Sequence, residues 1–270
     1  MYKHILFLSL IIIAFAACSK KQEQSNFKVQ KLNEARQNQV QDLEEDSSEE
    51  LEYEMTLQDK LDAFAEVSKA RLSSDVKKIM IEALQRLKAK NLEAKFFKVG
   101  RKAPNFELKN LAGKEIELYD VLKKQAVVLL FYRGSWCPYC NLELKEYIDY
   151  YPRFKQAGIE ILAISPEQQN FTRNFQNRNT FPFPLLFDKG NKVAKKYNLK
   201  FALDEELIPL YRKLGLDIGI RNGDDDWEIP VPATIIIGTD KKIYYNFADV
   251  DYKYRAEPDS VLEIAKATLL

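Results

Sequence analysis

Every glycine and proline in this chain lies at or beyond Gly100: nine glycines and ten prolines in 270 residues, and none in the first 99. Glycine supplies the positive φ that tight turns need, and proline interrupts helices. A stretch without either builds long helices or stays unfolded, and forms few tight turns. Turn-rich globular structure therefore begins near residue 100, and the residues before it are of another kind.

Three segments precede it. Lys3 and the apolar run Ile5 to Ala17 read as an export signal over residues 1–17. The run is shorter than the about 20 residues a membrane-spanning helix needs. Phe15-Ala16-Ala17-Cys18 is similar to a lipobox, which would place a lipid on Cys18 and tether the chain to a membrane. Ala14-Phe15-Ala16 also offers an ordinary secretory cleavage site, which would release a soluble periplasmic protein. Both readings put the rest of the chain outside the cytoplasm, where disulfides persist. Residues 19–55 are rich in Gln, Glu, Lys, Asn and Ser, and strongly acidic from Asp42 to Glu50. They cannot bury enough apolar surface to fold alone and read as a disordered tether.

From Thr56 the pattern becomes helical. Leu57, Leu61, Phe64, Leu72, Val76, Ile79, Ala83 and Leu87 recur at helical spacing, and Thr56 with Asp59 has the form of a capping box. The spacing predicts one or two helices from about 56 to 92, broken near Ser73-Ser74, in an extension that ends at 97. Its apolar face either packs on the following domain or pairs two copies as a homodimeric coiled coil. Lys and Arg number 41 against 40 Asp and Glu, so nothing points to a nucleic-acid partner.

Residues 98–270 read as one α/β domain. Phe106–Leu108 and Ile116–Leu118 flank Gly113 as a hairpin, and Val127 to Tyr132 is a fully apolar strand. A helix from Pro138 to about Ala157 stops at Gly158. Strands are expected at Ile159–Ile164, Leu185–Phe187, Ala233–Ile237 and Lys242–Phe247. Helices are expected at Phe171–Arg178, Lys192–Tyr197, Glu205–Leu214 and Pro258–Leu269. This order predicts a thioredoxin-like fold, a central mixed sheet flanked by helices, with the N-terminal helical extension added.

The chemistry sits between the first long strand and its helix. Trp136-Cys137-Pro138-Tyr139-Cys140 holds two of the three cysteines, and the only histidine, His4, lies in the leader. A cysteine at a helix N-terminus meets unpaired backbone N–H groups and the positive end of the helix dipole, which favour its thiolate. Cys140 lies one turn on, on the same face, within reach of Cys137. Pro138 suits the first helical turn, and Arg133, just upstream, is a candidate cation for the thiolate. A purely structural bridge across so short a loop would constrain the unfolded chain little. Zinc would need nitrogen or sulfur ligands that the exported chain lacks. Redox work by the Cys137–Cys140 pair is the reading, with no metal and no cofactor required.

Pro232, in Val231-Pro232-Ala233-Thr234, is either an ordinary turn or edge proline or a cis-proline placed beside the cysteines. Trp227 reads as a local packing anchor or as part of the site's rim. The acidic Asp224 to Asp226 reads as a solvated turn before it reads as a calcium site.

Four segments carry a family resemblance: Gly100 to Phe106, Phe131 to Asn141, Ile164-Ser165-Pro166, and Pro230 to Thr234. Through them residues 98–270 resemble the peroxiredoxin-like branch of the alkyl hydroperoxide reductase/thiol-specific antioxidant (AhpC/TSA) family. The resemblance implies that Cys137 attacks, that Cys140 resolves and that Pro232 is cis; Arg133, Ser135 and Trp136 are candidates to support the site. It implies a peroxidase that cycles Cys137 and Cys140 between dithiol and disulfide. The chain departs from the family where Gly134 takes the place of the Thr or Ser three residues before the attacking cysteine, with Ser135 next to it. The Trp-Cys-x-x-Cys order resembles thioredoxins instead, although the strand Val127–Phe131 carries no acid. The alternative is therefore a disulfide oxidoreductase acting on exported proteins. Either enzyme needs an external dithiol reductant; a tethered binding module without catalysis is the third possibility.

Overall fold

A strand buried at every position belongs in the middle of a sheet covered on both faces, and β3 (Ala126–Phe131) is such a strand. The computed structural model describes residues 55–269; the expected signal segment, Cys18 and nearly all of the expected tether lie outside the described residues. Six further strands build the sheet around β3: β1 (Glu107–Asn110), β2 (Glu115–Glu117), β4 (Ile159–Ser165), β5 (Leu185–Phe187), β8 (Ala233–Ile237) and β9 (Ile243–Ala248). Their order is β2-β1-β5-β4-β3-β8-β9. β3 runs parallel to β4, from Ala126 opposite Ile159 to Phe131 opposite Ile164, and antiparallel to β8. β6 (Lys200–Ala202) and β7 (Glu228–Pro230) pair separately as a small antiparallel ribbon.

Strand side chains alternate between faces. Val128, Leu130, Ile161, Ala163 and Ile236 face one core, shared with α1 (Leu57–Ala70), α4 (Pro138–Gln156) and α9 (Pro258–Leu269). Val127, Leu129, Phe131, Leu162 and Ile164 face the other, against Leu118 and Leu122 of α3 (Leu118–Leu122) and Val193 of α6 (Lys192–Lys196). The mixed sheet with helices on both faces is the expected thioredoxin-like arrangement.

The extension forms two helices, α1 and α2 (Ser74–Ala89), broken where expected, with Ser73 capping the second. The Thr56–Asp59 capping box is present: Asp59 N–H donates to Thr56 Oγ1 at 3.1 Å and Thr56 N–H donates to Asp59 Oδ2 at 2.9 Å. The apolar face of α1 is consumed within the chain. Leu57 and Leu61 are fully buried in the first core, and Phe64 meets Tyr139 edge to face at 5.1 Å. Burying two such leucines contributes about 1.5–3 kcal/mol each.

After α5 (Gln169–Arg178), which precedes β5, the chain places α6, β6, α7 (Leu207–Lys213), α8 (Ile218–Asn222) and β7 between β5 and β8. Leu203, Ile218, Trp227 and Ile229 form a small core of their own here. Trp227 is the packing anchor of that core, with Arg212 stacked 5.1 Å from its ring. Sequence reading did not anticipate β6, β7, α3 or α8, short elements without the apolar run that marked β5.

Candidate active site

Strand β3 leads through the buried Tyr132 into the loop Arg133-Gly134-Ser135-Trp136, and α4 begins at Pro138 with Cys137 as its N-cap. Backbone bonds fix that loop. Cys137 N–H donates to Gly134 O at 3.1 Å and Asn141 N–H to Cys137 O at 3.0 Å. Asn141 Nδ2 donates to Ser135 O at 2.9 Å. Ser135 N–H donates to Glu167 Oε2 at 2.8 Å, so Ser135 enters the site through its main chain. Glu167 follows β4, has no exposed side-chain surface, and also accepts from Arg221 Nη1 at 2.7 Å.

Both cysteines are reduced and buried, Cys137 1% and Cys140 0% exposed, and Cys140 Sγ donates to Cys137 Sγ at 2.9 Å. Burial alone would push the Cys137 thiol up. The hydrogen bond from Cys140 and the charges of Arg133 and Arg255 outweigh it and lower Cys137 to about 6. Cys140 moves the other way, pushed well above its ordinary value by burial and by the neighbouring Cys137. The pair is split into a ready nucleophile and a thiol that keeps its proton.

Arg133 is no solvated surface charge: it is 4% exposed. Its guanidinium lies 4.4 Å from the ring centroid of Tyr252 and 4.9 Å from that of Trp136, and Nη2 donates to Tyr211 Oη at 2.9 Å. Such stacking lets a cation sit out of water. Its Nε has no hydrogen-bond partner among the described residues.

Gly134 has φ +147°, and a Cβ placed there would lie 2.3 Å from Trp136 Nε1. The indole occupies the space that a side chain at 134 would need. A Thr or Ser at this position would require the Trp136 indole to move.

One expectation is corrected. No peptide bond among the described residues is cis, so Val231–Pro232 is trans. Trans is the form that X–Pro bonds favour by about 0.5–1 kcal/mol. Pro232 is buried at the entry to β8, whose Ala233 pairs with Phe131 at the end of β3, and Val231 N–H donates to Leu199 O at 2.8 Å. Cys18 lies outside the described residues.

Sequence reading missed the groups that complete the site. Glu143, one turn beyond Cys140 on α4, is buried and accepts from Arg255 Nε at 2.9 Å. Burial drives its carboxyl up, more than Arg255 draws it down, to about 7. Arg255 Nη2 lies 3.8 Å from Cys140 Sγ. The Cys140-x-x-Glu143 spacing, which sets both side chains on one helix face, was a signal available in the sequence. Arg255, Tyr252 and Tyr211 offered none, being brought in by the fold from distant segments. A groove of about 840 Å³ beside β1, β5 and α6, lined by Phe106, Lys109, Phe187, Lys189 and Lys192 among others, contains neither cysteine.

The fold and a reduced Cys-x-x-Cys pair at a strand-to-helix junction define a thioredoxin-like protein. The AhpC/TSA family model matches residues 99–246, and the chain belongs to that family. It is 38% identical over 114 residues to the thiol-disulfide oxidoreductase ResA of Bacillus thuringiensis, a match covering 40% of this chain and 65% of the relative. It is 35% identical over 100 residues to a chloroplastic peroxiredoxin Q of Oryza sativa subsp. japonica, covering 37% of this chain and 46% of the relative. The matched segments thus span less than two thirds of either relative. Among solved structures, peroxidoxin BcpB from Mycobacterium tuberculosis superposes with a TM-score of 0.51 at 22% identity, covering 64% of this chain and 99% of that one, a likeness of fold.

Proposed function

We propose that the protein is a thiol-dependent oxidoreductase whose Cys137 and Cys140 cycle between dithiol and disulfide, with thiol–disulfide exchange as its main reaction. The observation that carries this reading is the split pair itself: an acidic Cys137 held 2.9 Å from a Cys140 that retains its proton. The Cys137 thiolate attacks one sulfur of a substrate disulfide. That S–S bond breaks, the other sulfur leaves as a thiolate, and a mixed disulfide forms on Cys137. Cys140 then loses its proton, with the Glu143 carboxylate as the nearby acceptor, and attacks Cys137 Sγ. The substrate's second sulfur leaves reduced. Two electrons have passed to the substrate and the protein holds a Cys137–Cys140 disulfide, which an external dithiol reduces by the same chemistry reversed. Exchange in the opposite direction uses the same atoms.

A second reading, peroxide reduction, is favoured by the family and by Arg133, a buried cation with an unpartnered N–H at the loop. Here the thiolate attacks a peroxide oxygen, the O–O bond breaks, and the leaving oxygen takes a proton. The Cys137 sulfenic acid then condenses with Cys140, expelling water and giving the same disulfide. The Gly134–Trp136 packing supports exchange as the first reading, because a hydroxyl side chain three residues before Cys137 would require the indole to move.

Stopped-flow rates of the reduced protein against hydrogen peroxide and against hydroxyethyl disulfide separate the two. Exchange faster than a free thiol of equal acidity, with peroxide no faster than free cysteine, supports the first reading; the reverse installs the second. The leader supports an extracytoplasmic placement with a lipid on Cys18, and Cys18→Ala is expected to move the protein out of the detergent phase. Equal partitioning of the variant and the wild type would reject the anchor.

A further inference from the structure

Helix α1 begins against the segment that carries Arg255. The Glu257 carboxylate accepts from two of its first amides, Leu57 N–H at 2.9 Å and Gln58 N–H at 2.8 Å. A carboxylate in that position satisfies amides that have no partner inside the helix and meets the positive end of its dipole. Gln58 answers with two bonds of its own. Its Nε2 donates to Lys253 O at 3.3 Å, and its Oε1 accepts from Arg255 N–H at 3.4 Å. Residues 253–257 are thus held from the N-terminal helix. Within that segment the Arg255 side chain turns inward, with Nε on Glu143, Nη1 on Tyr254 O at 2.8 Å, and Nη2 beside Cys140.

We infer that Glu257 and Gln58 are positioning residues for the dithiol: by fixing α1 to residues 253–257 they hold the Arg255 guanidinium on Glu143 and Cys140. This rests on the dithiol reading of the site and deepens it, because it makes the helical extension part of the redox centre. If α1 only covered apolar surface, every contact that docks it would count alike. Lys60 Nζ donates to Glu146 Oε1 at 2.8 Å, docking α1 on α4 without touching residues 253–257. That pair separates the two ideas.

The groups acting on Cys137 come from three places: Cys140 and Tyr139 on α4, Arg133 in the loop, and Tyr252 and Arg255 in the C-terminal segment. Arg133 and Arg255 are the cations among them. Loosening Arg255 leaves Arg133 as the remaining cation beside the Cys140 hydrogen bond, so Cys137 becomes less acidic.

The test is iodoacetamide capture of Cys137 in the full-length chain from about pH 4 to pH 9, with the adduct located by fragment-ion mass spectrometry. Gln58→Ala and Glu257→Ala are expected to slow capture at pH 6 by about threefold to tenfold and to leave the alkaline plateau unchanged. Glu146→Ala is expected to follow the wild type. An unchanged profile in Gln58→Ala and Glu257→Ala overturns the inference, as does an equal shift in all three variants. If Glu257→Ala does not fold, Gln58→Ala decides alone, since it removes hydrogen bonds and no charge. Alkylation asks only for an acidic thiol, so its failure is distinguishable from failure of the exchange reaction measured with hydroxyethyl disulfide.

Discussion

At the scale of single residues, the properties of the site come from what surrounds Cys137. Two guanidinium groups and one thiol outweigh the cost of burying its charge. Capture of Cys137 by iodoacetamide should therefore be slow below a midpoint near pH 6 and level above it. In Arg133→Met the midpoint should climb toward the ordinary cysteine range; a wild-type profile in that variant would remove Arg133 from the account. The same lowering makes the reduced fold gain stability as pH rises between about 6 and 9, because there the unfolded chain binds the proton that the folded thiolate has lost. Glu143 acts with the opposite sign: its carboxyl is raised, so it contributes a loss of stability between about 4.5 and 7. Denaturant titrations of reduced wild type and Cys137→Ser across that range should differ in the alkaline gain. Gly134→Thr should destabilise by about 1–3 kcal/mol and displace Trp136, visible as a change in its fluorescence. The cysteines, Pro138 and the Gly134 departure were legible in the sequence because they lie in one local motif. Tyr252 and Arg255 were not, since a stacking or an ion pair made across more than a hundred residues leaves no local pattern.

At the scale of elements, helix ends were the most readable features. The Thr56–Asp59 box, the break at Ser73 and the stop at Gly158 all rest on short-range backbone bonds that depend on neighbouring residue types. The buried strands β3 and β4 were readable as apolar runs. The ribbon of β6 and β7 was not, because its strands are set by pairing with each other and carry no period. A buried tie between elements is the Arg255–Glu143 pair joining α4 to the segment before α9, with side chains 2% and 3% exposed. Glu143→Ala would leave the guanidinium buried and unpaired, and should cost about 3–5 kcal/mol in denaturant unfolding. A cost below about 1 kcal/mol would mean that water reaches Arg255 and that the pair is not sealed.

At the scale of the whole molecule, the dithiol lies under structure drawn from three parts of the chain: α1, the insertion between β5 and β8, and the C-terminal segment. Tyr211 from the insertion lies edge-on to Trp136 at 5.8 Å and bonds Arg133, while Tyr139 meets both Phe64 of α1 and Tyr252. A fold that stabilises the Cys137 thiolate stabilises the reduced state. The reduction potential should therefore be less negative than the about −270 mV of thioredoxin. A potential more negative than that value would show that strain or packing favours the disulfide. The most direct test of the central claim is to mix Cys140→Ser with an oxidised, disulfide-containing protein and analyse the products on non-reducing gels. Dithiol exchange predicts a mixed disulfide that accumulates on Cys137, is released by reductant and is absent from Cys137→Ser. Failure of any adduct to accumulate, with the protein still consuming peroxide, would contradict exchange and leave the peroxidase.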